Sequence, residues 1–258
     1  MKCGNFDTNA TALKQRIQTH ERYGANDLNT WIFDHFQLQE GLSVLELGCG
    51  TGKQTLPMAK LIGSTGHIVA VDISQEALES VFRSAQELKL ENRISVVCKG
   101  IDGIGKYVPK PVDRVLSSYS LYYAESPDAV FRDLHRLLNP EGILFFCGPA
   151  KDNNDELKRF HYSLAGTQPP KDSGAGEFME GTGQRLAREL FATVEVFSFD
   201  NPLRFDSADA LYAYWAAYNL YDVRLENEFK AMAKQYFQSQ QCFETIKRVV
   251  GVRAAKRA

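Results

Sequence analysis

Apolar residues along this chain switch between two periods. Leu28, Trp31, Ile32 and His35 follow the spacing of one helical face, and Leu13 and Ile17 share a face ahead of them, so residues 10–36 are predicted as amphipathic helix. Beyond Gly41 the period changes. The run Leu42–Leu47 is apolar apart from Glu46 and ends in Gly48-Cys49-Gly50-Thr51-Gly52, which predicts a buried strand entering a tight turn. Residues 53–62 return to helical spacing, with Pro57 tolerable only in a first turn. Further apolar runs follow at His67–Val71, Ile94–Cys98, Val112–Ser118 and Ile143–Cys147. Helical stretches lie between them. One runs from the N-cap Ser74 to Leu88; another runs from Asp128 to Leu138 and stops at Asn139-Pro140-Glu141-Gly142. Strands alternating with helices at this spacing predict right-handed βαβ units and a parallel, doubly wound α/β sheet.

The texture changes after Pro149. Residues 152–164 are predicted as helix, 166–183 as a loop rich in Gly and Pro, Thr193–Asp200 as a strand, 206–240 as aromatic-rich helix and Phe243–Arg253 as a final strand. There is no internal repeat and no long linker, so one domain is expected. Its parts are an N-terminal helical cover (1–40), a core (41–150) and a remainder (151–258) that completes the sheet and carries the variable loop 166–183 and a helical cap at 206–240.

Charge narrows the partners. The chain has 30 Lys and Arg against 32 Asp and Glu, a formal net charge of −2, so no basic stripe points to nucleic acid. The one basic cluster, Lys247, Arg248, Arg253, Lys256 and Arg257, falls on and after the last predicted strand and reads as a charged strand edge. No apolar run nears the roughly 20 residues of a membrane helix, and residues 1–9 lack the apolar stretch of a secretory leader. Five cysteines without CxxC spacing fit neither a disulfide framework nor a zinc ribbon, and no metal is expected. Cys49, Cys98 and Cys147 read as small buried residues of a protein in the reducing cytoplasm.

Two nucleotide templates fail on the glycine turn. The dinucleotide fingerprint needs glycine at Lys53 or Thr55, and the P-loop needs glycine at Leu47 and Ser or Thr at Gln54. What remains is Glu46-x-Gly48-x-Gly50-x-Gly52, glycines that admit a ligand close to the backbone beside a carboxylate that would repel a pyrophosphate.

Val44-Leu45-Glu46-Leu47-Gly48-Cys49-Gly50-Thr51-Gly52 resembles the first motif of class I S-adenosylmethionine-dependent methyltransferases, and the likeness extends over roughly residues 40–150. It implies a Rossmann-like, mostly parallel seven-stranded sheet with helices on both faces, an antiparallel last strand and a helical insertion before it. It implies S-adenosylmethionine as cofactor. The turn of Gly48, Cys49, Gly50 and Gly52 would hold its methionine part, with Glu46 facing the ammonium. Asp72 would accept from the ribose hydroxyls and Ile73 would pack on the adenine. Asp102, in Gly100-Ile101-Asp102-Gly103, stands one residue from the commonest position of the acid that meets the adenine amine, and Ser118 closes the set at the end of the fourth strand.

The segment Asp113–Tyr123 lacks the (Asn/Asp)-Pro-Pro-(Tyr/Phe) stretch of enzymes that methylate nucleobase amines. Tyr119, Tyr122 and Tyr123 offer instead an apolar wall with hydroxyl tips, and Tyr23, Tyr214 and Tyr218 are further acceptor-side candidates. Transfer from a sulfonium is an in-line displacement that demands alignment and exclusion of water. A base is required only for a weakly nucleophilic acceptor; His20, Tyr122 and His161 are its candidates. Some cover has to move, and Gly166–Gly183 together with the N-terminal helix bearing His20, Tyr23 and Trp31 are expected to act as a lid. The expected function is methylation of a small-molecule acceptor, with neither nucleic acid nor membrane as partner. The alternatives are a methyltransferase of RNA or protein and a cofactor-binding module without activity.

Overall fold

A computed structural model describes residues 22–164, 166–168 and 174–257. The alternating pattern forms seven strands: β1 (Ser43–Leu47), β2 (His67–Asp72), β3 (Ile94–Cys98), β4 (Val112–Ser118), β5 (Leu138–Pro149), β6 (Thr193–Phe205) and β7 (Phe243–Ala255). They make one sheet in the order β3-β2-β1-β4-β5-β7-β6. Neighbours from β3 through β5 are parallel, and β7 runs antiparallel to β5. The order reverses between β1 and β4, and at such a switch point an open α/β sheet presents a crevice at its carboxyl ends. The helices are α1 (Leu28–Phe36), α2 (Thr55–Leu61), α3 (Gln75–Glu87), α4 (Pro127–Leu137), α5 (Asp155–Leu164), α6 (Gly174–Glu177), α7 (Gly183–Leu190), α8 (Ala208–Ala216) and α9 (Glu226–Ser239).

Side-chain alternation explains why the central strands are almost wholly apolar. Leu45 and Leu47 join Leu144 and Phe146 in one cluster, while Val44 joins Phe145 and Cys147 in another, so each strand feeds two cores. Local signals set the helix starts as expected. Ser74 Oγ accepts from the Ala77 amide at 3.2 Å to cap α3, and Pro57 stands in the first turn of α2.

The chain divides into two compact units. One comprises Leu28–Lys151, Gly174–Phe199 and Val249–Ala258 and holds both sheet clusters. The other takes residues 22–27, 152–164, 166–168 and 200–248. This second unit has an aromatic core of its own, in which Trp215 stacks on Phe229 at 4.1 Å and Phe205 on Tyr214 at 5.1 Å.

Five expectations change, and the first is Cys98, which is exposed at the end of the edge strand β3 and not buried. Residues 174–183 are not loop: α6, a π turn over Phe178–Thr182 and the start of α7 occupy them, and Phe178 and Met179 are buried. Glycines at 174, 176, 181 and 183 hid the apolar spacing Phe178, Met179, Leu186, Ala187 that drives this packing. Residues 206–240 are two helices, because α8 ends at Ala216 and Asp222, accepting from the Arg224 amide at 2.9 Å, caps a short 3-10 turn before α9. The helix predicted over 10–36 is interrupted: Arg22 and Tyr23 are helical, Gly24 pairs with Leu203 as an isolated bridge, Asn26 bonds Asp200 and Asn201, and α1 begins at Leu28. Leu13, Ile17 and His20 lie outside the described residues. The basic cluster is no strand edge, since β7 lies between β5 and β6. Arg253 instead pairs with Glu195 at 2.6 Å, Arg248 with Asp152 at 3.3 Å, and Lys256 Nζ donates to the Leu138 carbonyl.

Candidate active site

The glycine turn follows β1 at the switch point. Gly48, Gly50 and Gly52 all have left-handed backbones, with φ of 70°, 52° and 87°. Gly48 is further required by its neighbour, because a Cβ there would lie 2.3 Å from Ser120 Cβ. Ser120 is fixed in turn, its Oγ donating to the Leu47 carbonyl at 2.6 Å and lying 2.7 Å from Ser117 Oγ. The Gly48 and Cys49 amides both donate to the Val71 carbonyl, at 2.8 and 3.0 Å, which ties the turn to the end of β2.

Glu46 stands on β1 just before this turn and is 2% exposed. Thr55, at the start of α2, donates its hydroxyl to Glu46 Oε2 at 2.6 Å. Burial raises the Glu46 carboxyl to about 8; the Thr55 bond works the other way, and the Asp72 charge adds to the rise. The Cys49 thiol is pushed up by burial and by the Glu46 and Asp72 charges, so it is an inert wall of the turn.

Asp72 ends β2 with both carboxylate oxygens engaged. Oδ2 accepts from the Gly50 amide at 2.8 Å and Oδ1 from the Ser74 amide at 2.9 Å. The carboxylate therefore shapes the glycine turn while keeping lone pairs for a ligand diol. Ile73 beside it is 57% exposed, an uncovered apolar side chain at the crevice. Asp102 accepts from the Glu125 and Ser126 amides at 3.1 and 3.0 Å, which joins the loop after β3 to the start of α4. Ser118 ends β4, with Cys147 Sγ 3.5 Å from its Oγ.

Tyr119, Tyr122 and Tyr123 follow directly. Tyr119 takes a left-handed φ of 58° and packs against the β5 cluster; the rings of Tyr122 and Tyr123 lie 4.6 Å apart. Tyr122 also borders Gly148, whose Cβ would meet its ring at 3.0 Å, while Tyr123 is exposed. Thus the structure brings Glu46, Gly48, Cys49, Gly50, Gly52, Asp72, Ile73, Asp102, Ser118 and the β4 tyrosines into the sheet unit. Tyr23, His161, Tyr214 and Tyr218 belong to the second unit. There Tyr23 packs on Phe205, and Tyr214 is wholly buried with its hydroxyl donating to Asn154 Oδ1. The Tyr218 oxygen accepts from the Asn153 and Asn154 amides, at 3.2 and 3.3 Å. A side chain sealed like Tyr214 is core, which removes it from the acceptor-side set.

Two positioning residues were not singled out from sequence, Thr55 and Ser120. Thr55 lies nine residues beyond Glu46 and its hydroxyl carries no pattern of its own; Ser120 was hidden between the tyrosines. The donor set suits a ligand with a cationic end, a diol and a flat apolar ring: buried Glu46, bridging Asp72 and open Ile73.

A family model described as a methyltransferase domain matches residues 38–169, half of the chain. The chain belongs to that family. The chain is 25% identical over 134 residues to a demethylmenaquinone methyltransferase of Lactobacillus johnsonii, covering 50% of this chain and 54% of that one. It spans about half the length of the curated relatives it matches. Other relatives are named for a malonyl-acyl-carrier-protein, for 23S rRNA and for protein L-isoaspartate. The chain superposes on an S-adenosylmethionine-dependent methyltransferase from Aquifex aeolicus with a TM-score of 0.55 and 16% identity, over 95% of this chain and 97% of that one. It superposes equally, at 0.55 and 19% identity, on the [4+2]-cyclase SpnF, over 92% of this chain and 86% of that one. These structural likenesses establish the fold; the cyclase illustrates that the fold alone does not set the reaction.

Proposed function

We propose that this enzyme transfers a methyl group from S-adenosylmethionine to a small-molecule acceptor at the carboxyl edge of the sheet. The observation that carries the reading is the left-handed glycine turn clamped between Asp72 and Ser120, with the buried Glu46 carboxyl behind it. In this reading ionised Glu46 holds the cofactor's ammonium, Asp72 accepts from its ribose diol, Ile73 packs on its adenine, and Asp102 and Ser118 border it. Bound there, the cofactor supplies a methyl group already activated by a positive sulfur. Tyr119, Tyr122 and Tyr123 shield the reacting atoms from water and line the acceptor side. The acidic partners of Arg248 and Arg253, and the absence of the nucleobase-methylating stretch after β4, support a small acceptor over RNA.

Calorimetric titration tests the cofactor half. S-adenosylhomocysteine should bind saturably and NAD should not. Asp72→Ala should weaken binding by roughly 10- to 100-fold, about 1.5–3 kcal/mol, since a charged acceptor is lost from a polar contact. Tight binding of NAD, with no heat from S-adenosylhomocysteine, sinks the reading.

A further inference from the structure

The glycine turn leads into α2 through Lys53 and Gln54, and a proline stands where the first helical turn needs a donor. The Leu56 amide donates to the Gly52 carbonyl at 3.1 Å and the Met58 amide to the Gln54 carbonyl at 3.0 Å, each one helical turn back. The rung between them would run from residue 57 to the Lys53 carbonyl, and Pro57 has no N–H to give it. Another helix supplies the donor. Asn29, in the first turn of α1, donates its Nδ2 to the Lys53 carbonyl at 3.0 Å. Its Oδ1 accepts from Gln54 Nε2, also at 3.0 Å, so the amide is held at both ends. Helix α1 is itself anchored. Ile32 and Phe36 are fully buried in the cluster that holds Met58, Ala59 and Ile62, and Trp31 packs edge-on against Phe145 at 5.8 Å.

We infer that Asn29 is a positioning residue for the cofactor: it replaces the helical rung that Pro57 removes and so fixes the chain between Gly52 and Thr55 where the ligand meets it. The inference rests on the S-adenosylmethionine reading of the site. Thr55 follows Gln54 directly, and its hydroxyl holds Glu46 Oε2 at 2.6 Å. The turn is then braced at three points, by Ser120 against Gly48, by Asp72 on the Gly50 amide and by Asn29 at its exit. A part-buried carbonyl that loses its donor turns towards water. Rotation of the peptide between Lys53 and Gln54 carries Thr55 away from Glu46.

Two measurements on the full chain test this. Asn29→Ala should speed hydrogen exchange of the Leu56 and Met58 amides in the ligand-free protein by roughly 5- to 10-fold, and should weaken S-adenosylhomocysteine binding in a calorimetric titration by about the same factor. Pro57→Ala restores the missing amide. Alone it should change the affinity by less than about twofold, and in the Asn29→Ala background it should recover most of what was lost, as a double-mutant cycle reads. Lost packing around Asn29 would not be repaired from α2, so the rescue separates positioning from a general structural role. If Asn29→Ala melts below the working temperature, the same rescue is read as recovered folding in the double variant. Unchanged exchange in Asn29→Ala overturns the brace, and an equal deficit in the single and double variants overturns the link to Pro57. A wild type that binds S-adenosylhomocysteine, beside an Asn29→Ala variant that binds it equally well, overturns the positioning role alone. A wild type that does not bind it overturns the cofactor reading itself.

Discussion

Burial holds the Glu46 carboxyl near pH 8, so at neutral pH the ligand-free side chain is mostly protonated. A cationic ligand favours its ionised form. Binding of S-adenosylhomocysteine, which keeps the ammonium, should therefore release a proton at pH 7 and tighten as pH rises towards 8. Calorimetry in buffers of different ionisation enthalpy reads this directly, and Glu46→Gln should abolish the release. Folding moves the opposite way. The folded pKa lies above the ordinary carboxyl value of 4.5, so this group's contribution to stability is full below that value and fades as pH rises through about 8. Thermal melts across that window should fall without ligand and flatten with it. Gly48 makes a separate prediction. Gly48→Ala combines a left-handed φ with a collision against Ser120 and should lower stability by about 2–4 kcal/mol. Gly166→Ala, at φ 63° with nothing within 4 Å of the added atom, should cost about 1 kcal/mol. Equal shifts in the two melts would show that Ser120 does not brace the turn.

Asp102 illustrates how one side chain joins two elements. Its oxygens take up the Glu125 and Ser126 amides just ahead of α4, which the helix itself leaves unpaired. Asp102→Ala should cost about 1 kcal/mol and raise hydrogen exchange in the first turn of α4, and an unchanged exchange pattern there would assign Asp102 to the ligand alone. The same elements show what periodicity can and cannot reveal. Strands β1 to β4 and helices α2 and α3 were legible because an apolar run, a glycine turn and a cap agree at each boundary, as at Leu47 and Ser74. The segment 174–183 was not, because four glycines imitate a loop while Phe178 and Met179 pack against the sheet. The 206–240 stretch read as one helix because aromatic residues recur through it; the break rests on the Asp222 cap, a short-range bond that spacing does not encode.

The seven-stranded sheet with an antiparallel last strand followed from the family resemblance, and the parallel part followed from alternation alone; the strand order came only with the structure. The division into two units did not follow from sequence, since the second unit gathers its residues from three separate stretches. The candidate cofactor residues were legible through the family resemblance, whose motifs fall at the ends of β1 and β2. The acceptor side was less so, because a tyrosine in a core and a tyrosine in a site have the same pattern, as Tyr214 shows. The most direct test of the whole account uses the full chain, methyl-labelled S-adenosylmethionine and a fractionated cell extract. The label should enter the small-molecule fraction, and Asp72→Ala should remove most of it. Label found only in RNA or protein, or no label transferred while S-adenosylhomocysteine still binds, would contradict the account.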